Sequence, residues 1–243
     1  PDLTREIIVK VTLLPSAMSA TGVSPHQYLT TFLINDHVAI DAGSLGLYRS
    51  PRDQAAVRHV FLSHSHIDHW AALPTFLLNV YDMAEAPVTL HTSEDALDCL
   101  RRDVFNGRVW PDFLEMEHDG KRFVNVNVIH SGETVSVEGL RITAVAVNHV
   151  VPTLGFIVEE PSAVVVVASD TKATTEIWQR ADRAVNLKAV FLEVTLPNSM
   201  IELADVTHHL TPAGFVLEMR KVSRPTRFFA VHLSARTQEE VTK

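Results

Sequence analysis

Four side chains that can bind a metal lie within six positions of the sequence, in the order His64, His66, Asp68 and His69. An apolar segment of strand length, residues 56–62, precedes them, and a segment with helical character follows. His64 and His66 are two residues apart, so both point the same way if the backbone there is extended. Imidazoles together with a carboxylate are ligands that zinc, manganese and iron accept in proteins. The pattern therefore predicts a metal site where a buried strand ends and a helix begins.

The composition limits the classes of protein to which the chain can belong. Its formal net charge of −8 argues against a nonspecific nucleic-acid binder, because no surplus of basic residues can neutralise phosphates. A single cysteine, Cys99, leaves no internal disulfide and no cysteine-based zinc site. No apolar run reaches the ~20 residues that a transmembrane helix needs. With 46% hydrophobic residues among 243, the chain can bury a substantial core.

The hydrophobic pattern predicts strands that come first in succession and later alternate with helices. Strands are predicted over residues 6–14, 28–34, 38–41, 54–62, 87–90, 123–129, 133–137, 140–147, 153–159, 163–168, 189–194 and 226–231. Helices are predicted over residues 70–83, 94–102, 174–184 and 212–222, the last with Thr211 as its N-cap and Pro212 at its first position. This order indicates two sheets faced by helices in one domain.

Three further candidate ligands directly follow apolar, β-rich segments: His149, Asp170 and His232. Strand ends on one side of a sheet converge, so these side chains can meet the first cluster despite their distance along the chain. Taken singly, each could be a polar residue at a strand edge or a helix cap; their joint order after the first cluster is what indicates a site. The seven ligands divide between two ions, with Asp170 as the carboxylate able to bridge both. We predict one group of His64, His66 and His149, and a second of Asp68, His69 and His232.

Several other residues admit two interpretations. Asp41, at a strand end before Ala42-Gly43, could orient a metal-bound histidine or could only cap the turn. Trp110 and Phe113 could line a ligand pocket or could anchor their loop to the core. We interpret the remaining histidines as surface or loop residues, because they lack ligand-like neighbours in the sequence: His26, His37, His59, His91, His118 and His130.

The succession of Asp41-Ala42-Gly43, the first histidine cluster, His149, Ser169-Asp170-Thr171 and His232 resembles the metallo-β-lactamase superfamily of hydrolases. The resemblance covers nearly the whole chain. It implies an α/β fold, an αββα sandwich of two mixed β-sheets flanked by helices, as a single domain over residues 1–243, with a binuclear site at one edge of the sheets. Asp170 at the bridging position, where the zinc β-lactamases have cysteine, is similar to the phosphoesterase and lactonase branches.

A narrower resemblance concerns segments outside the ligand set. Residues 105–106, 109–112 and 209–212 resemble parts of the class II cyclic-nucleotide phosphodiesterases, and the turn at residues 152–156 resembles them less closely. The chain is shorter than many members of that class, and it has Ile67 where they more often have leucine. These segments are less specific than the ligands, so they indicate the substrate less strongly than the ligands indicate the fold.

The resemblance implies hydrolysis of 3',5'-cyclic nucleotides (cAMP or cGMP) to 5'-nucleotides. Two divalent ions, Zn²⁺ in first place with Mn²⁺ or iron as alternatives, would lower the pKa of a bridging water that attacks phosphorus. Asp68 could orient that nucleophile. His209 is the candidate donor of a proton to the leaving 3'-oxygen. A purely structural role for His209 fits equally well, and His208 is the second candidate.

Other readings of the same ligands are an endonuclease acting at tRNA 3' ends, a lactonase or thioesterase, and a non-catalytic metal-binding module. The acidic charge and the lack of a basic insertion disfavour the endonuclease. We therefore expect a small phosphodiester substrate, with neither nucleic acid nor membrane as partner, and the sequence leaves a homodimer open. A lone cysteine favours the cytoplasm, but the chain begins at Pro1 without methionine, so the periplasm stays open too.

Overall fold

Two six-stranded sheets form the framework of the protein. The computed structural model describes residues 9–19, 22–23, 26–83 and 86–243. The first sheet has the strand order β1 (Val11–Leu13), β4 (Phe32–Ile34), β5 (Val38–Ile40), β6 (His59–Phe61), β7 (Val88–Thr92) and β10 (Val124–Val128). The second has the order β11 (Thr134–Val137), β12 (Leu140–Val147), β13 (Thr153–Glu160), β14 (Ala163–Val167), β15 (Leu187–Glu193) and β16 (Arg227–Val231). Two small hairpins pair β2 (Met18–Ser19) with β3 (Gly22–Val23) and β8 (Glu117–His118) with β9 (Lys121–Arg122).

Helices connect the strands and cover the outer faces of the sheets. They are α1 (Pro51–Gln54), α2 (Leu73–Val80), α3 (Glu94–Cys99), α4 (Glu176–Arg183), α5 (Ile201–Thr207), α6 (Pro212–Met219) and α7 (Gln238–Val241). Short 3₁₀ turns cover Leu45–Leu47, Ile67–His69 and Asn198–Met200, and a π-helical turn at Leu100–Val104 extends α3. No helix in the described ranges is long and apolar enough to cross a membrane.

Three apolar clusters hold the layers together, and they define an α/β/β/α sandwich. One cluster packs α2 and α3 on the first sheet, and another packs α4 on the second. Between the sheets, Phe61 meets Phe156 edge to face with ring centroids 5.7 Å apart. Burial of each such ring contributes about 2–3 kcal/mol. The predicted αββα fold of two mixed sheets is confirmed.

The strand sequences explain which strands lie in the middle. All five residues of β14, the run AVVVV, are buried, as a strand covered on both faces requires. β11, at the edge of its sheet, instead alternates exposed and half-buried positions. Parallel pairing of β14 with β15 and of β15 with β16 makes their carboxyl ends point in one direction. This direction determines where the candidate ligands lie.

Most predicted elements are present, with differences at their ends. Ser93 and Thr211 cap α3 and α6 by accepting hydrogen bonds from backbone amides, and the predicted cap at Thr211 is confirmed. α2 begins only at Leu73, because the residues before it form the 3₁₀ turn of the histidine cluster. Helices α1, α5 and α7 were not predicted. Part of the predicted strand 6–14 lies outside the described residues, and the single domain over residues 1–243 stays a prediction.

Candidate metal centre

The candidate ligands lie at one edge of the sandwich because four strands deliver them in the same direction. The first cluster follows β6, which runs parallel to β5 and β7. In the second sheet, β12, β14 and β16 end just before His149, Asp170 and His232. A backbone hydrogen bond of 3.0 Å from Leu154 N to Ser63 O joins the two sheets at this edge. All seven predicted ligands are brought together.

The first group contains His64, His66, His149 and Asp170, each of which offers a ligand atom within 4.8 Å of the others. His149 Nε2 lies 3.2 Å from His66 Nδ1, and His64 Nε2 lies 3.8 Å from Asp170 Oδ2. Two ligands of a tetrahedral zinc ion are about 3.3 Å apart when their bonds to it are about 2.0–2.1 Å. The spacing therefore suits one divalent cation.

The second group contains Asp68, His69 and His232, with Asp170 beside it. His232 Nε2 lies 3.1 Å from Asp68 Oδ2 and 3.5 Å from Asp170 Oδ2. His69 Nε2 lies 3.4 Å from the same oxygen of Asp170. Asp170 thus borders both groups, which is the position that a bridging carboxylate requires.

The bonding of the buried histidines fits a cation in this cluster. His64 and His69 are both fully buried, and the Nε2 atom of each has no hydrogen-bond partner among the described residues. Leaving a buried polar atom unsatisfied costs roughly 1–3 kcal/mol unless something binds it. Their Nδ1 atoms are instead engaged by the protein, so the Nε2 lone pairs face the centre of the cluster. These donors suit a borderline cation such as zinc, manganese or iron.

Asp170 sets the electrostatics of the cluster. Burial alone would raise the pKa of this carboxyl, but the adjacent His232 and His69 outweigh burial and hold the pKa well below its usual range. Burial likewise lowers the pKa of His232, but Asp170 and Asp68 together raise it to about 9. A cation that binds to these imidazoles must displace any proton from the ligating nitrogen. The buried carboxylate therefore attracts positive charge to the place where both groups meet.

Asp41 contacts the candidate ligand His69 on the side away from the cluster. This position fits the first of its two interpretations, in which it orients a ligand histidine. Its Oδ2 accepts a hydrogen bond from His69 Nδ1 at 2.6 Å, and its Oδ1 accepts one from Ser63 N at 2.8 Å. A carboxylate in this position fixes the tautomer and orientation of the histidine. Gly43 then lets the backbone pass close by, since a Cβ atom there would lie 2.0 Å from Asp68 O.

Strained backbone occurs at this edge, which holds four of the nine described non-glycine residues with positive φ. Four residues around the cluster have positive φ although none is glycine: Asp41 (61°), Ser169 (56°), His208 (53°) and His232 (55°). Such conformations cost on the order of 1–3 kcal/mol each and persist where the surrounding structure imposes them. Strands β5, β14 and β16 thus end in sharp turns that aim side chains at the cluster.

Glu193, at the end of β15, is a residue that the sequence analysis missed. It is 1% exposed, and its Oε1 accepts hydrogen bonds from His209 Nδ1 at 2.7 Å and from Thr171 N at 3.0 Å. Its Oε2 accepts from Thr195 Oγ1 at 2.7 Å and from Leu210 N at 3.1 Å. The rule that located Asp170, a carboxylate ending a buried apolar strand, would also have located Glu193.

His209 lies beside both histidines that the downstream strands deliver. Its ring centroid is 5.0 Å from that of His149 and 5.6 Å from that of His232. Because Glu193 holds Nδ1, the Nε2 atom is left for the site. His209 also belongs to a third possible ligand group with Asp170 and His232, so its position suits a proton donor and a ligand alike.

The structure overturns the interpretation of His91 and places other residues that the sequence left open. His208, the second candidate proton donor, is half-buried, and its carbonyl oxygen lies 3.2 Å from His149 Nδ1. His91 is 3% exposed and lies within β7, where it was interpreted as a surface or loop residue. Phe113 is buried and stacks on Phe123 with centroids 4.2 Å apart, and Trp110 packs against the same core. Of their two interpretations, these aromatic residues fit the loop anchor.

Comparison with known families assigns the class of protein. The profile described as "Beta-lactamase superfamily domain" matches residues 37–233, which include four strands of the first sheet, the whole second sheet and every candidate ligand. The chain therefore belongs to the metallo-β-lactamase superfamily of hydrolases, as the resemblance implied. It is 24% identical over 193 residues to a protein of Yersinia pestis described as a probable 3',5'-cyclic-nucleotide phosphodiesterase. The match includes 70% of this chain and 52% of that protein, so the chain spans about half the length of this relative.

Solved structures with the same fold include enzymes acting on different substrates. Unliganded yeast PDE1 superposes with a TM-score of 0.74 at 13% identity, covering 97% of this chain and 93% of that one. The short form of human tRNase Z superposes with a TM-score of 0.68 at 16% identity, covering 93% of each chain. Identities this low establish the fold alone.

Proposed function

We propose that the chain is a metal-dependent phosphodiesterase that hydrolyses 3',5'-cyclic nucleotides to 5'-nucleotides. The observation that carries the proposal is the pairing of His209 with the buried Glu193, 2.7 Å apart, beside two candidate cation groups that share Asp170. Opening a cyclic phosphodiester needs a nucleophile, charge stabilisation at phosphorus and a proton for the leaving oxygen. This arrangement offers a group for each. The similarity to the Yersinia pestis protein supports the choice of substrate.

Two divalent ions, zinc in first place, would be held by the groups described above. His64, His66 and His149 would hold one ion, Asp68, His69 and His232 the other, and Asp170 would contact both. When bound, such ions supply a water of lowered pKa and positive charge against the phosphoryl oxygens. The spacing of the ligand atoms supports this proposal, and the identity and number of the ions are parts of it.

Asp68 and the buried histidines would position the reactants. Asp68 Oδ2 contacts His232 Nε2 at 3.1 Å, which leaves Oδ1 to accept a hydrogen bond from the attacking water. The Asp68 side chain is one-third exposed, so water and substrate reach it from solvent. Its placement at the open side of the cluster favours attack from that side.

His209 would donate the proton to the leaving 3'-oxygen. Glu193 accepts a hydrogen bond from Nδ1, which fixes the ring and directs Nε2–H toward the substrate. The side chain is 14% exposed, so it lies at the margin of the cluster and within reach of a bound ester. Thr171 N, Thr195 N, Thr195 Oγ1 and Leu210 N also donate to Glu193, and these hydrogen bonds hold the carboxylate in place beside His209.

Endonucleolytic cleavage at tRNA 3' ends is the second candidate, because human tRNase Z shares the fold over 93% of both chains. The net charge of −8 disfavours it, since a polyanion gains its affinity from cationic side chains. A lactonase or thioesterase would use the same candidate ligands. The proposed partner is thus a small phosphodiester, and a homodimer stays a prediction.

The experiment is hydrolysis of 3',5'-cAMP, 3',5'-cGMP and bis(p-nitrophenyl) phosphate by metal-loaded protein, with metal content measured on the same sample. Turnover of a cyclic nucleotide with about two metals per chain would support the proposal. Turnover of the nitrophenyl ester alone would support a phosphodiesterase activity but reject cyclic nucleotides as the substrate. Cleavage of a tRNA precursor in preference to all three would favour the second candidate, and two metals without any diester turnover would redirect the search to lactones and thioesters.

A further inference from the structure

A cavity of about 390 Å³ opens directly beside the candidate metal centre. Its lining includes the candidate ligands Asp68 and His232 together with Tyr28 and Arg236. Pockets for small organic ligands start at about 300 Å³, so a mononucleotide fits this volume. A substrate whose phosphodiester lies at the metal centre has this cavity available for its sugar and base.

Two chain segments form the walls, and hydrogen bonds fix where each segment lies. Thr30 N donates to Asp68 O at 2.9 Å, which ties the first wall to the candidate metal cluster. His26 Nδ1 lies 3.1 Å from Gln238 Oε1, which ties the first segment to the second. Tyr28 lies between these two ties in the first segment, and Arg236 lies between His232 and Gln238 in the second. Both side chains line the cavity and neither is a candidate metal ligand, so both are available to the rest of the nucleotide.

Arg236 is an exposed cation that lines the cavity and has no hydrogen bond or ion pair to any residue in the described part of the chain. Guanidinium groups in folded proteins commonly pair with acceptors, and an acidic protein offers many. The pocket carboxylate Asp68 is already engaged by His232 at 3.1 Å. The five N–H donors of Arg236 are thus available to a ligand, and the group has no acceptor to offer.

Tyr28 supplies a flat surface on the opposite wall. Its side chain is 57% exposed although it borders a cavity, and its backbone N–H is fixed by Ser16 Oγ at 2.7 Å. An exposed aromatic ring on a fixed backbone is the kind of platform on which a nucleobase stacks. Stacking alone accepts any base, so it does not choose between adenine and guanine.

We infer that this cavity is a base-binding pocket that selects guanine over adenine, with Tyr28 stacking on the base and Arg236 donating to its edge. The inference rests on the proposed function for the orientation of the nucleotide. Guanine presents two acceptors, N7 and O6, which match two parallel donors of a guanidinium. Adenine presents N7 beside the N6 amino donor, which faces a donor-only group unfavourably. Arg236 is accordingly the specificity-determining residue.

The test is calorimetric binding of the products 5'-GMP and 5'-AMP to the metal-loaded protein, which turnover does not disturb. We expect GMP to bind about tenfold more tightly than AMP, the scale of one good bidentate contact. Arg236→Met should abolish that preference, whereas Arg220→Gln, an exposed arginine outside the pocket, should retain it. Tyr28→Ala should weaken both nucleotides about tenfold, and Tyr28→Phe, which keeps the ring, should restore most of the affinity.

Two outcomes overturn the inference. Equal affinity of the wild-type protein for GMP and AMP would reject base selection. Equal losses for both nucleotides in Arg236→Met, with the preference unchanged, would place Arg236 on the phosphate. The ratio of kcat/KM for cGMP and cAMP should give the same preference as binding. If GMP binds selectively through Arg236 but no cyclic nucleotide is hydrolysed, the base-binding pocket is supported and the proposed function fails. If cyclic nucleotides are hydrolysed but GMP and AMP bind equally, the proposed function is supported and the base-binding inference fails.

Discussion

The protein contains two groups of buried histidines, and they differ in what their ring nitrogens contact. At the candidate metal centre, Nε2 of His64 and of His69 has no hydrogen-bond partner among the described residues, and the carboxylates of Asp68 and Asp170 lie nearby. Within the first sheet, His91 and His59 instead contact each other through Nε2 and Nδ1 at 3.1 Å. Burial alone therefore does not define a metal site; unsatisfied nitrogens converging on carboxylates do.

In the second group, the His59–His91 pair, hydrogen bonds to the protein engage both ring nitrogens of His91. Asn127 Nδ2 lies 2.9 Å from His91 Nδ1, and His59 Nε2 lies 4.0 Å from Glu138 at the far end. One consistent assignment has the amide donating to His91, and His91 donating to His59, with both rings neutral. His91 also stacks on Phe61 with centroids 4.2 Å apart. Every nitrogen of His91 is thus satisfied without a cation.

The largest expected effect comes from removing the charge that both candidate cation groups share. Asp170→Asn keeps the shape of the side chain but not its charge, so we expect a loss of turnover on the order of 10³-fold, together with lower metal content. The measurements are kcat/KM and elemental analysis of the purified protein. His91→Gln is the matched control, since it changes a buried histidine of the other group and should leave metal content intact. Full activity of Asp170→Asn would contradict the assignment of the first group of histidines as a metal centre.

His209→Gln should lower kcat about 100-fold or more, because a positioned proton donor commonly contributes that much. Metal content should not change, since in our account His209 moves a proton and does not hold an ion. The effect should be smaller with bis(p-nitrophenyl) phosphate, whose leaving group needs no proton. Loss of a metal ion from this variant would instead make His209 a ligand of the third group.

Asp41→Asn sharpens the comparison because it weakens the support of the candidate ligand His69 without replacing any candidate ligand. Asp41 accepts the Nδ1 hydrogen of His69 at 2.6 Å, and an amide holds that tautomer less firmly. Loss of such a supporting group costs about 10- to 100-fold in metal affinity or activity, so we expect about tenfold weaker metal binding. Competition with a chromogenic chelator measures it. An unchanged affinity would leave Asp41 as a turn cap only.

Substitution of His91, in the His59–His91 pair, should leave activity unchanged. We expect it to change the free energy of unfolding instead. Burial, together with a smaller effect of the neighbouring His59, lowers the pKa of His91 from 6.5 to about 4. The unfolded chain then binds more protons between these values, so the free energy of unfolding should fall as the pH drops through that window, by up to about 3 kcal/mol.

Urea unfolding of wild type and His91→Gln at pH 7, 6, 5 and 4 measures this contribution. Glutamine keeps one donor and one acceptor but does not titrate, so the difference between the two curves isolates His91 from the histidines of the metal centre. Glu138 and His59 face the same pair and are present in both proteins. Parallel pH dependences of the two proteins would show that His91 is not held neutral.

Much of the site could be predicted because its residues follow apolar runs. His149, Asp170 and His232 were found by their position after a strand, without knowledge of strand order. Glu193 was missed because its strand was predicted to continue through residue 194, which placed the carboxylate inside an apolar run. His91 was misplaced for the opposite reason: the predicted strand ended at residue 90, whereas β7 continues to Thr92.

Other features depend on contacts that a single sequence does not reveal. Which strand ends share an edge depends on the parallel pairing of β14, β15 and β16. The pocket walls meet through His26 and Gln238, which are 212 positions apart in the chain. The short helices α1 and α7 have only four residues each, too few for a periodic pattern to be recognised.

Anomalous diffraction at the zinc edge from crystals of the zinc-loaded protein tests the central claim most directly. Our account predicts two peaks about 3.5–4 Å apart, one among His64, His66 and His149 and one among Asp68, His69 and His232, with Asp170 between them. It predicts no peak between His59 and His91. A peak at that pair, or the lack of any peak among the seven candidate ligands, would contradict the distinction between the two groups of histidines.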